Sequence, residues 1–327
     1  MTYVGASLDD GHPDTELPSL SELWAKKYIA KLKDQDALLK TLGEAKHRVD
    51  IAQKLTELLR PISAQAWHKT ESLLSDEIRR HNISSELIDP WAISKDVHQV
   101  YEKALLAYAN RLPPQRLSVA IAADMGTIRQ KHTVIDPRVI GFVSMQFHYC
   151  GQMLASQVKG AEKTALESYF KVVDDHLYMP LHRAYEAAAN CTYDAPELKA
   201  VHHLLPYSSQ IAADIVNMVN QLHPTYTSYT GHLSNQIVRT SSIRDVEMFQ
   251  VYLWTCVLEQ NIAAIQQELF PLCVMLYPRL DVSWDLVREM LHLLQKAFSK
   301  YGQPQDTESY QPYHTSLCKM FSAEVLA

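Results

Sequence analysis

Glycine is scarce. The chain has nine in 327 residues, where average usage would put roughly 7 %, and few alternating apolar and polar runs or Asn-Gly turns interrupt it, so sheet architectures have little to build on. The Gly-rich phosphate loops are missing too: there is no GxxxxGK[ST] and no GxGxxG, nor any HExxH or GxSxG. P-loop enzymes, Rossmann dehydrogenases, zinc proteases and α/β-hydrolases are therefore unsupported. No CxxC occurs. The five cysteines, Cys150, Cys191, Cys256, Cys273 and Cys318, are odd in number and widely spaced, and read as reduced core thiols rather than a disulfide framework. An excess of basic charge is lacking, with 31 Lys and Arg against 37 Asp and Glu, which argues against nucleic acid as the partner. The N-terminus has neither the positive nor the apolar region of a signal peptide, so a cytoplasmic location is the expectation. The most apolar window, residues 249–277, is broken by Glu259, Gln260, Asn261, Gln266, Gln267 and Glu268, and no membrane span is expected. No repeat of 33, 34 or 40 residues stands out, which removes the common solenoids.

What remains is apolar and helical. Hydrophobic residues make up 47 % of the chain, ample for a packed core. The fold class expected is all-α: a multi-helix bundle with a long proline-kinked helix and a central buried helix. Residues 1–18 read as a disordered tail, 19–112 as an N-terminal helical region, 115–302 as the main bundle and 303–327 as a C-terminal tail, with Pro113-Pro114 marking the internal boundary. Pro61 is expected to stop one helix and Pro271 another. Ser19 or Ser21, Asp136, Ser241 or Ser242, and Asp281 or Ser283 are the expected helix starts.

The longest helical pattern, residues 162–190, places Leu166, Phe170, Val173, Leu177, Leu181, Ala184 and Ala188 on one face. Asp175, His182 and Glu186 fall on the opposite face and form a candidate metal set. Asp174 lies at the edge of the apolar stripe, with Tyr178 and Tyr185 as its natural hydrogen-bond partners, and Pro180 should kink the helix. Earlier, the helix over 137–158 is apolar nearly all round except for a strip of small or polar residues, Gly141, Ser144, His148, Gly151, Gln152 and Ala155, that would let a helix or flat ligand come close to His148. Later, the helix over 243–270 is apolar at almost every angle. Glu247 and Glu259 on it need partners, Arg244 or Arg239 serving Glu247. The segment HPTYTSYTG offers Tyr226, Tyr229 and His223 as a lid or contact loop.

Two ExxH spacings, Glu44 to His47 and Glu289 to His292, invite a di-iron reading, but His292 points away from its helix's apolar face. The Asp174-Asp175 run lacks the third acid and the second metal motif of helical prenyl-diphosphate enzymes. Cys150 with a neighbouring His is the one nucleophile arrangement left open. The wording of VIDPRVIGFVSMQFHYCGQML, VVDDHLYMPLHRAYEAAA and SSIRDVEMFQ resembles uncharacterised all-helical proteins of cyanobacteria, over about residues 120–300. That resemblance implies a cytosolic bacterial protein linked to the regulation of a photosynthetic cell, and carries no activity, cofactor or site residue with it.

Two functional expectations follow. One is a non-enzymatic interaction or regulatory protein whose helical faces bind protein partners, a second copy of the chain among them. The other is a protein that holds a small molecule, metal or tetrapyrrole in a pocket near His148, Asp174, Tyr178 and Glu247.

Overall fold

The structure is a computed structural model, and it describes residues 18–33 and 45–326. It is the expected all-α bundle. In chain order the helices are α1 (Leu20–Lys33), α2 (Ala45–Arg80), α3 (Pro90–Ala109), α4 (Pro114–Thr133), α5 (Ile140–Ser156), α6 (Gly160–Tyr178), α7 (Leu181–Ala189), α8 (Pro196–Leu204), α9 (Ser208–Leu222), α10 (Gln236–Glu259), α11 (Phe270–Leu276), α12 (Trp284–Tyr301) and α13 (Pro304–Met320). A wider π turn, Ala264–Leu269, precedes α11. Among the described residues the strands are β1 (Thr227–Ser228) and β2 (Gly231–His232), an antiparallel hairpin. No helix among the described residues is long and apolar enough to cross a membrane.

Several ends form where the side chains dictate. Ser19 and Glu22 cap α1 reciprocally, Glu22 N donating to Ser19 Oγ (3.3 Å) and Ser19 N to Glu22 Oε2 (3.2 Å), a capping box. Asp136 accepts from Arg138 N at 3.0 Å and Ser283 from Leu286 N at 3.3 Å. Other ends depart from expectation. Helix α10 starts at Asn235, whose side chain accepts from Ile237 N, so Ser241 and Ser242 lie inside it. Its end is Gln260, at φ 52°, and Pro271 opens α11 instead of closing a helix.

Pro61 does not stop α2, which runs unbroken through it. The ring and the Glu57 carbonyl it leaves unpaired are both on the exposed side, while Leu55, Leu59, Ile62 and Ala66 are buried on the other; packing outweighs one lost hydrogen bond that water can replace. Pro180 acts more strongly than a kink. Helix α6 ends at Tyr178, Met179 is extended (φ −105°, ψ 148°), and α7 leaves in a new direction from Leu181. The Leu177 carbonyl at this break accepts from the Arg129 guanidinium.

One hydrophobic cluster extends from Leu20 to Phe321, so residue 112 is a turn within a single core, not a boundary between two. Helices α2, α3, α5 and α6 pack on one another, α4 joins them to α1 and α7, and α10 is enclosed by α7, α8, α9 and α13. As expected, α10 is buried on every face from Val246 to Leu258. Residues 303–327 are not a tail. Gln303 and Asp306 cap α13 reciprocally, and Tyr310, Leu317 and Phe321 are fully buried. The expected tail, up to residue 17, and Glu44 lie outside the described residues.

Candidate functional site

Because α6 turns about 100° per residue, Asp174 and Asp175 leave it in different directions and reach different environments. Asp174 faces α5 and α10. His148 Nδ1 donates to its Oδ2 at 2.8 Å, which assigns the proton to Nδ1 and leaves the Nε2 lone pair to accept from the Gln152 amide, also at 2.8 Å. Arg244 Nη1 lies 3.5 Å from the same Asp174 oxygen, and its guanidinium is 4.4 Å from the centre of the Tyr178 ring. Tyr178 therefore does not serve Asp174; its hydroxyl donates to Asp245 Oδ1 at 3.0 Å. Tyr185, the other expected partner, has its hydroxyl buried without one.

Electrostatics separate the two carboxylates. Burial pushes Asp174 up, but His148, Arg244 and Lys171 together outweigh it and hold the group below the usual carboxylate value. At Asp245 burial wins over Arg244 and Tyr178, and the group is raised. Burial also drives the Tyr178 phenol well above its ordinary value, with Asp245 adding to it, so it stays a donor.

This constellation borders a cavity of about 710 Å³, within the size range of small-molecule sites. His148, Tyr178, Arg244 and Asp245 line it, with Met145, Tyr149 and Gln152 from α5. The opposite wall is aliphatic: Ile215, Val216 and Val219 from α9, and Leu286, Val287 and Met290 from α12. The hairpin contributes Tyr226 and Tyr229. Tyr226 Oη donates to the Asp281 carbonyl (2.5 Å) and accepts from Ser283 N (2.8 Å), and Tyr229 N donates to the Leu280 carbonyl. These ties hold the hairpin as one lip of the cavity. Of the residues singled out in the sequence, His148, Tyr178, Tyr226 and Tyr229 line it and Asp174 stands behind His148. Arg244, Asp245, Lys69 and Arg279 were missed as cavity residues. The one available signal was the Arg244-Asp245 pair at the point where α10 turns apolar all round.

Glu247 is elsewhere. Two residues beyond Asp245, it points to the far side of α10 and meets Lys27 of α1 at 2.9 Å, Lys171 at 3.8 Å and the Ser209 hydroxyl at 2.8 Å. The lysines, not Arg244 or Arg239, are its partners; they overcome burial and hold it down to about 2. Asp175, expected on a solvated face, joins this same group. It is fully buried, accepts from Lys171 at 2.8 Å with both oxygens, and accepts from Tyr28 at 2.8 Å. Glu259 instead pairs with Arg183.

The expected metal set is likewise dispersed. Asp175 is sealed beneath α1, whereas His182, past the break, packs against Gly126 of α4, where a Cβ would collide with its ring, and pairs loosely with Glu186 at 3.4 Å. Among the described residues no three His, Cys, Asp or Glu side chains are placed to hold a metal ion. The small-residue strip of α5 serves the protein itself, Met275 filling the space over Gly141 and Tyr101 that over Gly151. Cys150 is fully buried, and burial pushes its thiol up to about 12; all five cysteines are free. Set beside known proteins, the chain matches no family profile, no curated protein and no solved structure.

Proposed function

We propose that the protein binds a small, mainly apolar molecule in the cavity between α5, α9, α10 and α12, and acts through that binding rather than through turnover. The observation that carries the reading is the division of one 710 Å³ cavity into an aliphatic wall and a polar wall where His148, Tyr178, Arg244 and Asp245 converge, the composition typical of ligand sites. Binding without chemistry is supported by the serine hydroxyls on α10 that line it: Ser241 and Ser242 donate back to the Ile237 and Val238 carbonyls of their own helix. The test is an absorption spectrum and mass analysis of material extracted from protein purified without additives. A stoichiometric apolar compound, lost when Val219→Trp fills the cavity, is the expected result. A Soret-type band abolished by His148→Ala would make that compound an iron tetrapyrrole held through Nε2. Binding that persists in Val219→Trp would contradict the reading.

A second reading, docking of a protein partner, is supported by a different feature. Trp91, Val134 and Ile135 are 86 %, 72 % and 75 % exposed, and Lys131 and His132 both reach Asp96, which draws the end of α4 to the start of α3. Such a patch marks interaction surfaces. A second copy of the chain is the partner to test first: sedimentation should show association that Trp91→Ser weakens, and a monomer at all concentrations would count against it.

A further inference from the structure

Three of the four charged residues that line the cavity are basic, although the chain as a whole carries a formal charge of −6; Arg244 is paired with Asp174 and Arg279 with Asp76 and Glu77. The charged lining residues are Lys69, Arg244, Arg279 and a single acid, Asp245. A chain of contacts ties the cations to one side. Arg244 Nη1 and His148 Nδ1 both turn to Asp174 Oδ2, at 3.5 and 2.8 Å, the next residue is Tyr149, and Lys69 Nζ stands 4.4 Å from the centre of the Tyr149 ring. Arg279 is held to the same face of α2 by Asp76 and Glu77.

One of these groups has capacity to spare. Among the described residues no carboxylate pairs with Lys69, in contrast to Arg279 with its two acids. Arg244 Nε is sealed from solvent without a hydrogen-bond partner, so this guanidinium can meet a cavity ligand only through its Nη groups, one of which lies 3.5 Å from Asp174. The one acid of the wall is already engaged, Asp245 accepting from Tyr178. The lining residues contributed by α9 and α12 are all apolar, Ile215, Val216, Val219, Leu286, Val287 and Met290, a face suited to a hydrocarbon chain.

We infer that the ligand of this cavity is an anionic amphiphile, an aliphatic chain ending in a carboxylate or phosphate, with its tail along α9 and α12 and its head on the Lys69–Arg244 side. The inference rests on the ligand-binding reading above. An anion here gains a charge-assisted hydrogen bond from Lys69, and each methylene removed from water adds roughly 0.8 kcal/mol. An amine of the same length would meet like charges.

The experiment is displacement of the neutral probe 1-aminoanthracene from the full chain by dodecanoate, dodecyl phosphate, dodecanol and dodecylammonium at pH 7.5, with Lys69→Glu and Val219→Trp alongside. Lys69 is exposed, so its replacement leaves the core intact. The expected result is that at least one of the two anions displaces the probe about tenfold more tightly than the alcohol and the amine least well, with the preference shrinking in Lys69→Glu; the stronger anion identifies the head. Equal displacement by alcohol and anion, or preference for the amine, overturns the anionic head while leaving the cavity reading in place. If the probe fails to bind saturably, or binds Val219→Trp as well as the parent, both fall together.

Discussion

At the residue scale the account turns on paired charges withdrawn from water. Lys27 and Glu247 meet at 2.9 Å with side chains 10 % and 2 % exposed, beside the second pair of Lys171 and Asp175. Breaking one such pair leaves an uncompensated buried charge, so Glu247→Ala should destabilise by about 3–5 kcal/mol, whereas Lys27→Met with Glu247→Leu should be near neutral. Denaturant midpoints of the single and double variants check this, and a double variant as unstable as the single would contradict it. His176 gives a pH dependence. Its Nδ1 donates to the Val172 carbonyl at 2.9 Å and Ser118 lies 3.3 Å from Nε2, and burial lowers its pKa from 6.5 to about 4. The unfolded chain then takes up a proton between those values that the native state refuses. Stability is fully present above pH 6.5 and falls as the pH drops toward 4, by on the order of 3 kcal/mol. Below the ordinary carboxylate value Glu247, depressed by the two lysines, adds a loss of the same sign. Denaturation at pH 7 and pH 4.5 should show a smaller drop for His176→Gln than for the parent; an equal drop would exclude His176 as the cause. The Lys27–Glu247 pairing could not be read from the sequence, because the two lie far apart in the chain and only the packing of α1 brings them together, whereas Lys171 and Asp175 are one helical turn apart.

At the element scale, two prolines show what periodicity conveys and what it omits. Both Pro61 and Pro180 sit in helical patterns, yet α2 passes through the first and the chain breaks at the second. The difference lies in where the freed carbonyls point: that of Glu57 is on the exposed side of α2, whereas at the Pro180 break Leu181 N turns to Met179 and the Leu177 carbonyl it abandons is met in the core by Arg129. That choice is tertiary, and local spacing is silent on it. The starts of α1 and α12 were legible because their serine caps, Ser19 and Ser283, stand where the apolar stripes begin. Most of helix α13 was missed, and only a short terminal helix over residues 318–326 expected, because its sequence is polar; Asp306, Tyr310, His314 and Leu317 are its buried side, with Phe321 at its end. Phe321 is fully buried and packs against Phe249, Phe270 and Trp284. Phe321→Ala should therefore cost about 3–5 kcal/mol, and hydrogen exchange should show α13 loosening first. Unchanged protection along α13 would mean that the helix does not depend on this anchor.

At the scale of the whole molecule, a single core encloses, among the described residues, a roomy cavity whose walls differ in kind. The sequence exposed parts of it: His148 on its apolar helix, Tyr178 beside the aspartates, and the tyrosines of the hairpin segment. It could not show that Glu247 faces away while Asp245 faces in, since a two-residue step on a helix that is apolar at every angle leaves no face to read. The aliphatic wall was hidden for the same reason, its residues being indistinguishable from core until α9 and α12 are seen to stand apart from α5. The most direct measurement is a fluorescence titration of 1-aminoanthracene into the parent protein and into Val219→Trp, with melting temperatures recorded for both. The account predicts saturable one-to-one binding to the parent, no binding to the variant, and a variant that melts no lower because the added ring occupies empty volume. A parent that does not bind the probe, or a variant that binds it equally well, would contradict the claim that this cavity is a ligand site.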